Sequence, residues 1–518
     1  MKQDVQDLRG APLAALFRGE SALKRIQIAL FALFLTGPLV ALSIFGPPDL
    51  YERRDFTSFP TLGHIFSSDN VGRKQLSDAL IERFYPRKWA VSARNWTDWR
   101  IFGFLDTSTV VSGGNGYLFY KPGLVSRDCS KKDDITASLE TYRLHMALAA
   151  AAGMDLMITM SPNKETVENN SVTGRAAIYA KCYDEIRQIE TDAYQRYGRG
   201  MFHSHEDSIR RIGSQVGQRY ARYDTHWVPA MHIAAIEDIR EWLGYPARLD
   251  TIHTTTQTRN MELTGMVAQN DPETVPDAVD DDLATWAAQL QKIPGRTVVL
   301  HDSFYMAAAK RLSPHFQDVK FIHLEDAAAA FRDRPDAQYD EIGASLQQAD
   351  RIIVNSVERF MAIRYAGAAL SWNSVLGQEI LRRNGIAAKG RCGSNSVADA
   401  PESSLSLKNV ERLSPTRFRV TSADSYIVVE PGAAPAGSRT FCFSLAIKAP
   451  GSEMVGLAIP GRGAAFSKYS IVTVSLDQQG RGEINLLLPA DYMGSVFRIT
   501  PTFSSQDFEI DRLKTGWQ

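Results

Sequence analysis

From Gly153 onward, short apolar runs alternate with longer amphipathic ones, and no other feature of the chain constrains its fold as strongly. Apolar runs of this length, recurring between helix-length segments, fit strands buried on both faces and joined by crossover helices. "MDLMITM", "MFHSH", "RTVVLHDS", "VKFIHL" and "RIIVNS" read as strands. "SLETYRLHMALAAA" and "MHIAAIEDIREWL" read as helices, and "FYMAAAKRL" as a helix entered directly from a strand. The fold class is therefore α/β with a parallel sheet. In open sheets of this kind reactive groups gather beyond the carboxyl ends of the strands. "SPNKET", "HDSF" and "NSVERF" all stand at such ends.

Around Gly390 the pattern changes. "KGRCGSNSVADAPESS" is a cluster of small and turn-forming residues, and short alternating strands follow it: "RFRVTS", "SYIVVE", "TFCFSLAI", "SIVTVSL", "GEINLLLP" and "VFRITPTF". This predicts a separate β-sandwich over 403–518, after a main body over 51–390. A chain of 518 residues has room for both. No internal repeat is evident.

The run Ile26 to Gly46 carries no charge and is long enough to cross about 30 Å of hydrocarbon as a helix. Arg18, Lys24 and Arg25 precede it and mixed charges follow, which predicts a cytoplasmic segment over 1–25, a transmembrane helix over 26–46 and a body outside the cytoplasm. A cleaved signal is the alternative, since Ala41-Leu42-Ser43 resembles a small-x-small cleavage site. Four cysteines permit three pairings. The simplest joins Cys129 to Cys182 and Cys392 to Cys442, against the alternative of four thiols in a reducing compartment. With 58 basic and 59 acidic residues the net charge is only -1, so bulk charge points to no nucleic-acid partner.

The chemistry concentrates in "RYDTHWVPAMH" and "HDSF". A serine hydroxyl is a poor nucleophile until an imidazole accepts its proton and a carboxylate fixes the imidazole's tautomer. Asp224 and His226 can share one loop, and Ser303 stands at a strand-to-helix junction. Simpler roles compete: Asp302 or Ser303 can cap the helix, and Asp224 and His226 can close a turn before Pro229. His203 and His205 lie on one face of a strand with metal-ligand spacing, but no third or fourth ligand is evident, so no metal site is assigned. "GNG" and "GRG" are turn signals rather than phosphate loops, and no cofactor motif is present.

The elements "NGYLFY" (Asn115 to Tyr120), "SPNKET" (Ser161 to Thr166), "YDTHWV" (Tyr223 to Val228), "MELTGM" (Met261 to Met266), "HDSF" (His301 to Phe304) and "NSVERF" (Asn355 to Phe360) occur in an order that resembles the SGNH-hydrolase-like polysaccharide O-acetyltransferases, the group containing the alginate acetylation proteins AlgJ and AlgX. The resemblance covers roughly Leu76 to Leu370. Ordinary SGNH hydrolases place the serine block first, so the order here resembles a circular permutation. The resemblance implies Ser303 as nucleophile, His226 as general base and then acid, and Asp224 as the residue that orients His226. It places Asn163 where an oxyanion donor would sit and Lys164 where a side chain would contact substrate; Tyr305, Glu358 and Arg359 either line the pocket or are a helix-face aromatic and a surface ion pair. His301 stands where the family often has Gly, and "MELTGM" replaces a more usual Gly-Asp-Leu start.

The resemblance further implies an exported, inner-membrane-anchored enzyme with its body in the periplasm. It would acetylate hydroxyls of an alginate-like or other exopolysaccharide, with acetyl groups delivered by a membrane partner of the MBOAT type and the sandwich holding the glycan. No cofactor is implied. A carbohydrate esterase using the same triad and a non-catalytic glycan-binding scaffold subunit are the rival readings.

Overall fold

The computed structural model describes residues 22–46, 56–66, 70–84, 87–126, 129–197, 202–332, 337–360, 372–392, 397–422, 424–452, 454–461, 466, 471–494, 496–501 and 507–518. Packing divides the chain into two compact units: Met1–Ser112 with Asn260–Pro272, and Gly113–Arg259 with Glu273–Gln518.

In the smaller unit, Ala22–Phe45 is a 24-residue helix (α1). Most of its described apolar side chains, among them Leu30, Phe31, Leu33 and Ile44, are exposed, while Ala41 and Leu42 are half-buried. Several of its other side chains lie outside the described residues, as do residues 1–21 and 47–55, which hold most of the flanking charges. Among the described residues no helix is long and apolar enough to cross a membrane. The span expected over 26–46 is therefore not found there. Shorter helices follow, and Asn95 fixes one of them by donating its amide to the Val267 carbonyl at 2.9 Å.

The larger unit is built on five parallel strands: β1 (Asp155–Ser161), β2 (Phe202–Ser204), β3 (Ile293–His301), β4 (Phe316–His323) and β5 (Arg351–Val357). Their spatial order is β2-β1-β5-β3-β4. Each of the five apolar runs read as strands thus appears in the sheet, β2 as a short edge. The central strands β1 and β5 are buried along nearly their whole length, which only crossover helices on both faces allow. Register pairs Ser161 with Val357 and Leu300 with Val354, so β1, β5 and β3 finish at the same end of the sheet. The expected helix after β3 is instead two short pieces, α5 (Ser303–Met306) and Ala309–Leu312.

Two antiparallel sheets, of six and five strands, complete this unit. Their inward residues, such as Phe441, Phe443, Phe497 and Ile499, belong to the same apolar cluster as Leu156, Val298 and Ile352 of the parallel sheet. The change of pattern near Gly390 is therefore not a break in packing. The helix Trp372–Arg391 (α6) runs up to it, and Asn384 explains why no gap opens. Strand Arg481–Pro489 is the outer strand of the six-stranded sheet, so one side of its backbone lacks a strand partner. The buried Asn384 amide supplies that partner: Nδ2 donates to the Leu487 carbonyl at 2.8 Å and Oδ1 accepts from the Leu487 N–H at 2.8 Å. Nδ2 also donates to the Leu148 carbonyl of helix Lys132–Ala151 at 2.7 Å. Residues 393–396 of the linker-like stretch lie outside the described residues.

The disulfides join Cys129 to Cys182 and Cys392 to Cys442, with Cα atoms 5.1 and 5.8 Å apart. The second ties the end of α6 to a buried strand and closes a loop over the linker.

Because Asn384 satisfies three buried backbone groups at once, Asn384→Ala should cost roughly 2–4 kcal/mol of stability. Denaturant unfolding of the whole chain measures it.

Candidate active site

Asp302 and Ser303 sit at the carboxyl end of β3, and Asp302 carries the capping role. Its Oδ1 accepts from the Phe304 N–H at 3.0 Å, closing the first turn of α5, and its Oδ2 accepts from the Val357 N–H at 2.6 Å at the end of β5. One carboxylate therefore closes the turn and fastens it to the neighbouring strand. This leaves the Ser303 hydroxyl for His226, whose Nε2 lies 2.9 Å from Ser303 Oγ.

His226 is held from the other side by Asp224. Oδ1 of Asp224 lies 2.8 Å from His226 Nδ1 and also accepts the His226 backbone N–H at 3.0 Å. The turn-closing role and the imidazole-orienting role thus belong to the same oxygen. Burial pushes the Asp224 carboxyl up. The hydrogen bonds from the His226 side chain and backbone, with the charges of His226 and Arg259, outweigh burial and hold it well below the usual carboxylate range. An ionised Asp224 requires the proton of neutral His226 on Nδ1, which leaves the Nε2 lone pair facing Ser303. Phe304 packs on the His226 ring with centroids 4.8 Å apart. The His226 side chain keeps 27% of its surface exposed, so a reactant can reach it.

No family model matches the chain, and no curated protein matches it. Among solved structures it is similar to the O-acetyltransferase domain of Pseudomonas putida AlgJ, at 15% identity over 49% of this chain and 92% of that one, with a TM-score of 0.32. It is similar to Pseudomonas aeruginosa AlgX at 11% identity, over 78% of this chain and 94% of that one, with a TM-score of 0.32. For Bacillus cereus PatB1 the values are 11%, 49%, 96% and 0.33. What the site does chemically rests on this chain's own geometry.

Asn163, Arg359 and Ser303 follow β1, β5 and β3, the three adjacent strands that end together. Asn163 is fully buried, and its Oδ1 accepts from the Arg359 backbone N–H at 3.2 Å. Its Nδ2 is buried and has no hydrogen-bond partner among the described residues. Arg359 Nη1 lies 3.5 Å from Asn163 Oδ1, and the guanidinium lies over the Phe304 ring at 5.7 Å. Glu358 turns inward: its Oε2 accepts from the Asn163 N–H at 2.7 Å and from Thr166 Oγ1 at 2.5 Å. Through that one oxygen it orders the strand ends, and it is buried rather than lining an open pocket as the resemblance suggested.

Two other residues differ from their expected roles. Lys164 does not face a substrate. It is buried, and its Nζ donates to the carbonyls of Leu118, Arg222 and Asp224 at 2.7, 2.6 and 2.9 Å. All three ammonium protons are used in fastening the loop that carries Asp224 to the "NGYLFY" segment. Tyr305 is fully buried, its hydroxyl 2.5 Å from His205 Nε2, and so does not line an open pocket. His203 stacks on Trp242 at 4.3 Å, and both ring nitrogens of His205 are engaged by Asp238 and Tyr305, which removes that pair as metal ligands. His301, in the position where the family often has Gly, turns its Nδ1 to the Asp302 carbonyl at 2.8 Å and fits the turn. Lys164, Trp227 and His205 escape sequence reasoning as a support because their partners lie tens of residues away, where spacing carries no signal.

Burial pushes the Lys164 ammonium down from 10.5 to about 7, against the pull of Asp224, Glu273, Glu165 and Glu168. Between those two values the unfolded chain holds a proton that the folded chain has released, so stability from this group rises with pH through that window. Lys164→Met should cost roughly 1–3 kcal/mol through the orphaned carbonyls. Its deficit relative to wild type should grow as pH climbs above 7, and unfolding curves on either side of that pH check the sign.

Proposed function

We propose that the chain is an O-acetyltransferase that carries acetyl groups through Ser303 to hydroxyls of an exported polysaccharide. The observation that carries this reading is the continuous hydrogen-bonded chain from Asp224 through His226 to Ser303, at 2.8 and 2.9 Å. In the first half-reaction Ser303 Oγ attacks the acetyl carbonyl while its proton passes to His226 Nε2. The imidazolium that forms faces the Asp224 carboxylate. The donor's leaving group departs with the proton from His226, and the acetyl group remains as an ester on Ser303.

In the second half-reaction a sugar hydroxyl gives its proton to His226 Nε2 and attacks the ester. The Ser303–acetyl bond breaks and the proton returns to Ser303 Oγ. Asn163, whose amide Nδ2 has no partner among the described residues, is our candidate for stabilising the oxyanion formed in each step. We assign Arg359, which lies beside it, to the acyl donor or the glycan. The Asp-x-His block precedes the serine block in this chain, which supports a permuted SGNH order.

The acetyl group, the polysaccharide acceptor and the MBOAT-type membrane donor come from the motif resemblance. Residence in the inner membrane with the body in the periplasm is supported by the uncharged run at 26–46, by the exposed apolar side chains of α1 and by two disulfides, which persist in oxidising compartments. We assign glycan holding to the C-terminal sheets, whose core is continuous with that of the parallel sheet.

The test is the acetyl content of the host's secreted polymers with wild type and with Ser303→Ala. Loss of acetylation with an intact fold supports the enzyme, and unchanged acetylation supports a scaffold. With purified protein and an artificial acetyl ester, acetyl transfer to added glycan separates transferase from esterase. An ester consumed only by hydrolysis, whatever glycan is supplied, contradicts the transferase reading.

A further inference from the structure

We propose that Asp238, His205 and Tyr305 form a second Asp–His–hydroxyl chain that positions Ser303 for its reaction with His226. This rests on the function proposed above, and Tyr305 and His205 act in it as positioning residues. Asp238 Oδ2 lies 2.8 Å from His205 Nδ1, and His205 Nε2 lies 2.5 Å from the Tyr305 hydroxyl. All three residues are buried. The order of groups repeats that of Asp224, His226 and Ser303, and the two chains end on hydroxyls only two residues apart, on the same single-turn helix α5.

A four-residue helix cannot hold itself. One turn fixes many dihedrals for about one hydrogen bond and needs outside anchors to persist. Asp302 anchors α5 at its start, and Tyr305 is the anchor on its far side. The tether leads to two places. His205 donates its backbone N–H to the Met160 carbonyl at 3.1 Å, at the end of β1. Asp238 belongs to the helix His232–Trp242, which begins six residues after His226. The partners of the 2.9 Å bond between Ser303 and His226 are therefore joined twice, once directly and once through Tyr305, His205 and Asp238.

The proton inventory closes. The Asp238 carboxylate only accepts, and it takes the His205 Nδ1–H and the Ser208 hydroxyl. With His205 neutral and its proton on Nδ1, Nε2 is an acceptor for the Tyr305 hydroxyl. Burial pushes the Tyr305 phenol up, which keeps it protonated and donating. A buried polar chain with every member satisfied is rigid and specifies one arrangement. Trp227 transmits that arrangement: it meets the rings of His205 and Phe304 edge-on, at 6.1 and 5.1 Å, and Phe304 in turn packs on His226. A shift of Tyr305 cannot leave the Ser303–His226 alignment unmoved.

The experiment compares wild type, Tyr305→Phe, His205→Gln and the double variant, each as the full chain. It follows sulfonyl fluoride labelling of Ser303 and turnover of a chromogenic acetyl ester. Tyr305→Phe should lower the labelling rate and kcat by roughly tenfold to a hundredfold with KM unchanged. The double variant should be no slower than the slower single one, because both substitutions break one chain. Additive losses, a raised KM at unchanged kcat, or a less stable Tyr305→Phe whose Ser303 reacts as fast as wild type would each overturn the inference. Should Tyr305→Phe not fold, Ser208→Ala leaves Tyr305 in place and removes one donor from Asp238. It should slow labelling by roughly threefold or more, and an unchanged rate overturns the inference. A wild type inert to both reagents overturns the proposed function as well, whereas a reactive wild type matched by its variants overturns only this second chain.

Discussion

The 2.9 Å hydrogen bond between His226 Nε2 and Ser303 Oγ joins residues 77 positions apart, and most of the larger unit bears on keeping it. An imidazole beside a hydroxyl activates it only if the lone pair is aimed and the ring cannot turn away. Here the ring is fixed by Asp224 at Nδ1 and by Phe304 against its face. The hydroxyl is fixed by Asp302, whose two oxygens hold α5 and the end of β5. The loop carrying Asp224 is in turn fixed from within by Lys164, which spends a buried cation on three backbone carbonyls. Such a group is costly to bury, and its place beneath the Asp224 loop shows where the fold spends that cost.

The same logic extends outward from the site. Three strands must finish at one end of the sheet for Asn163, Arg359 and Ser303 to stand side by side, and the parallel register of β1, β5 and β3 sets this. That sheet shares its apolar core with the C-terminal sheets, and Asn384 closes the seam by acting as an extra strand residue beside Leu487. Ser303 and the C-terminal sheets therefore belong to one compact unit.

Much of this was legible in the sequence, because the features that carried it are local. Four of the five strands of the parallel sheet announce themselves as apolar runs, and the short edge strand in "MFHSH" does so only weakly. The meeting of Asp224, His226 and Ser303 was reachable from the motifs, and the cysteine pairing from proximity along the chain. The final strand, Asp507–Trp517, was not legible although it lies between two neighbours in its sheet. Phe508 and Ile510 alternate inward as a strand should, but Leu513 falls out of phase. A bulge opposite Ala446 and Ile447 absorbs one residue and restores the face. A strict period of two breaks there, and charged residues fill the outward positions. The roles of Lys164, Tyr305 and Asn384 were hidden for another reason: a buried polar side chain is understood only through its partners, and those lie elsewhere in the chain. Composition near Gly390 reports the change of secondary structure but not the apolar cluster that the parallel and antiparallel sheets share.

The most direct test of the central claim is peptide mapping by mass spectrometry after a brief, acid-quenched reaction with an activated acetyl ester. The account requires one acetyl group on the peptide carrying Ser303, held as an ester on that hydroxyl, and its disappearance in His226→Ala. An acetyl group found on any other side chain, or equal labelling of Ser303 in folded and denatured protein, would contradict it.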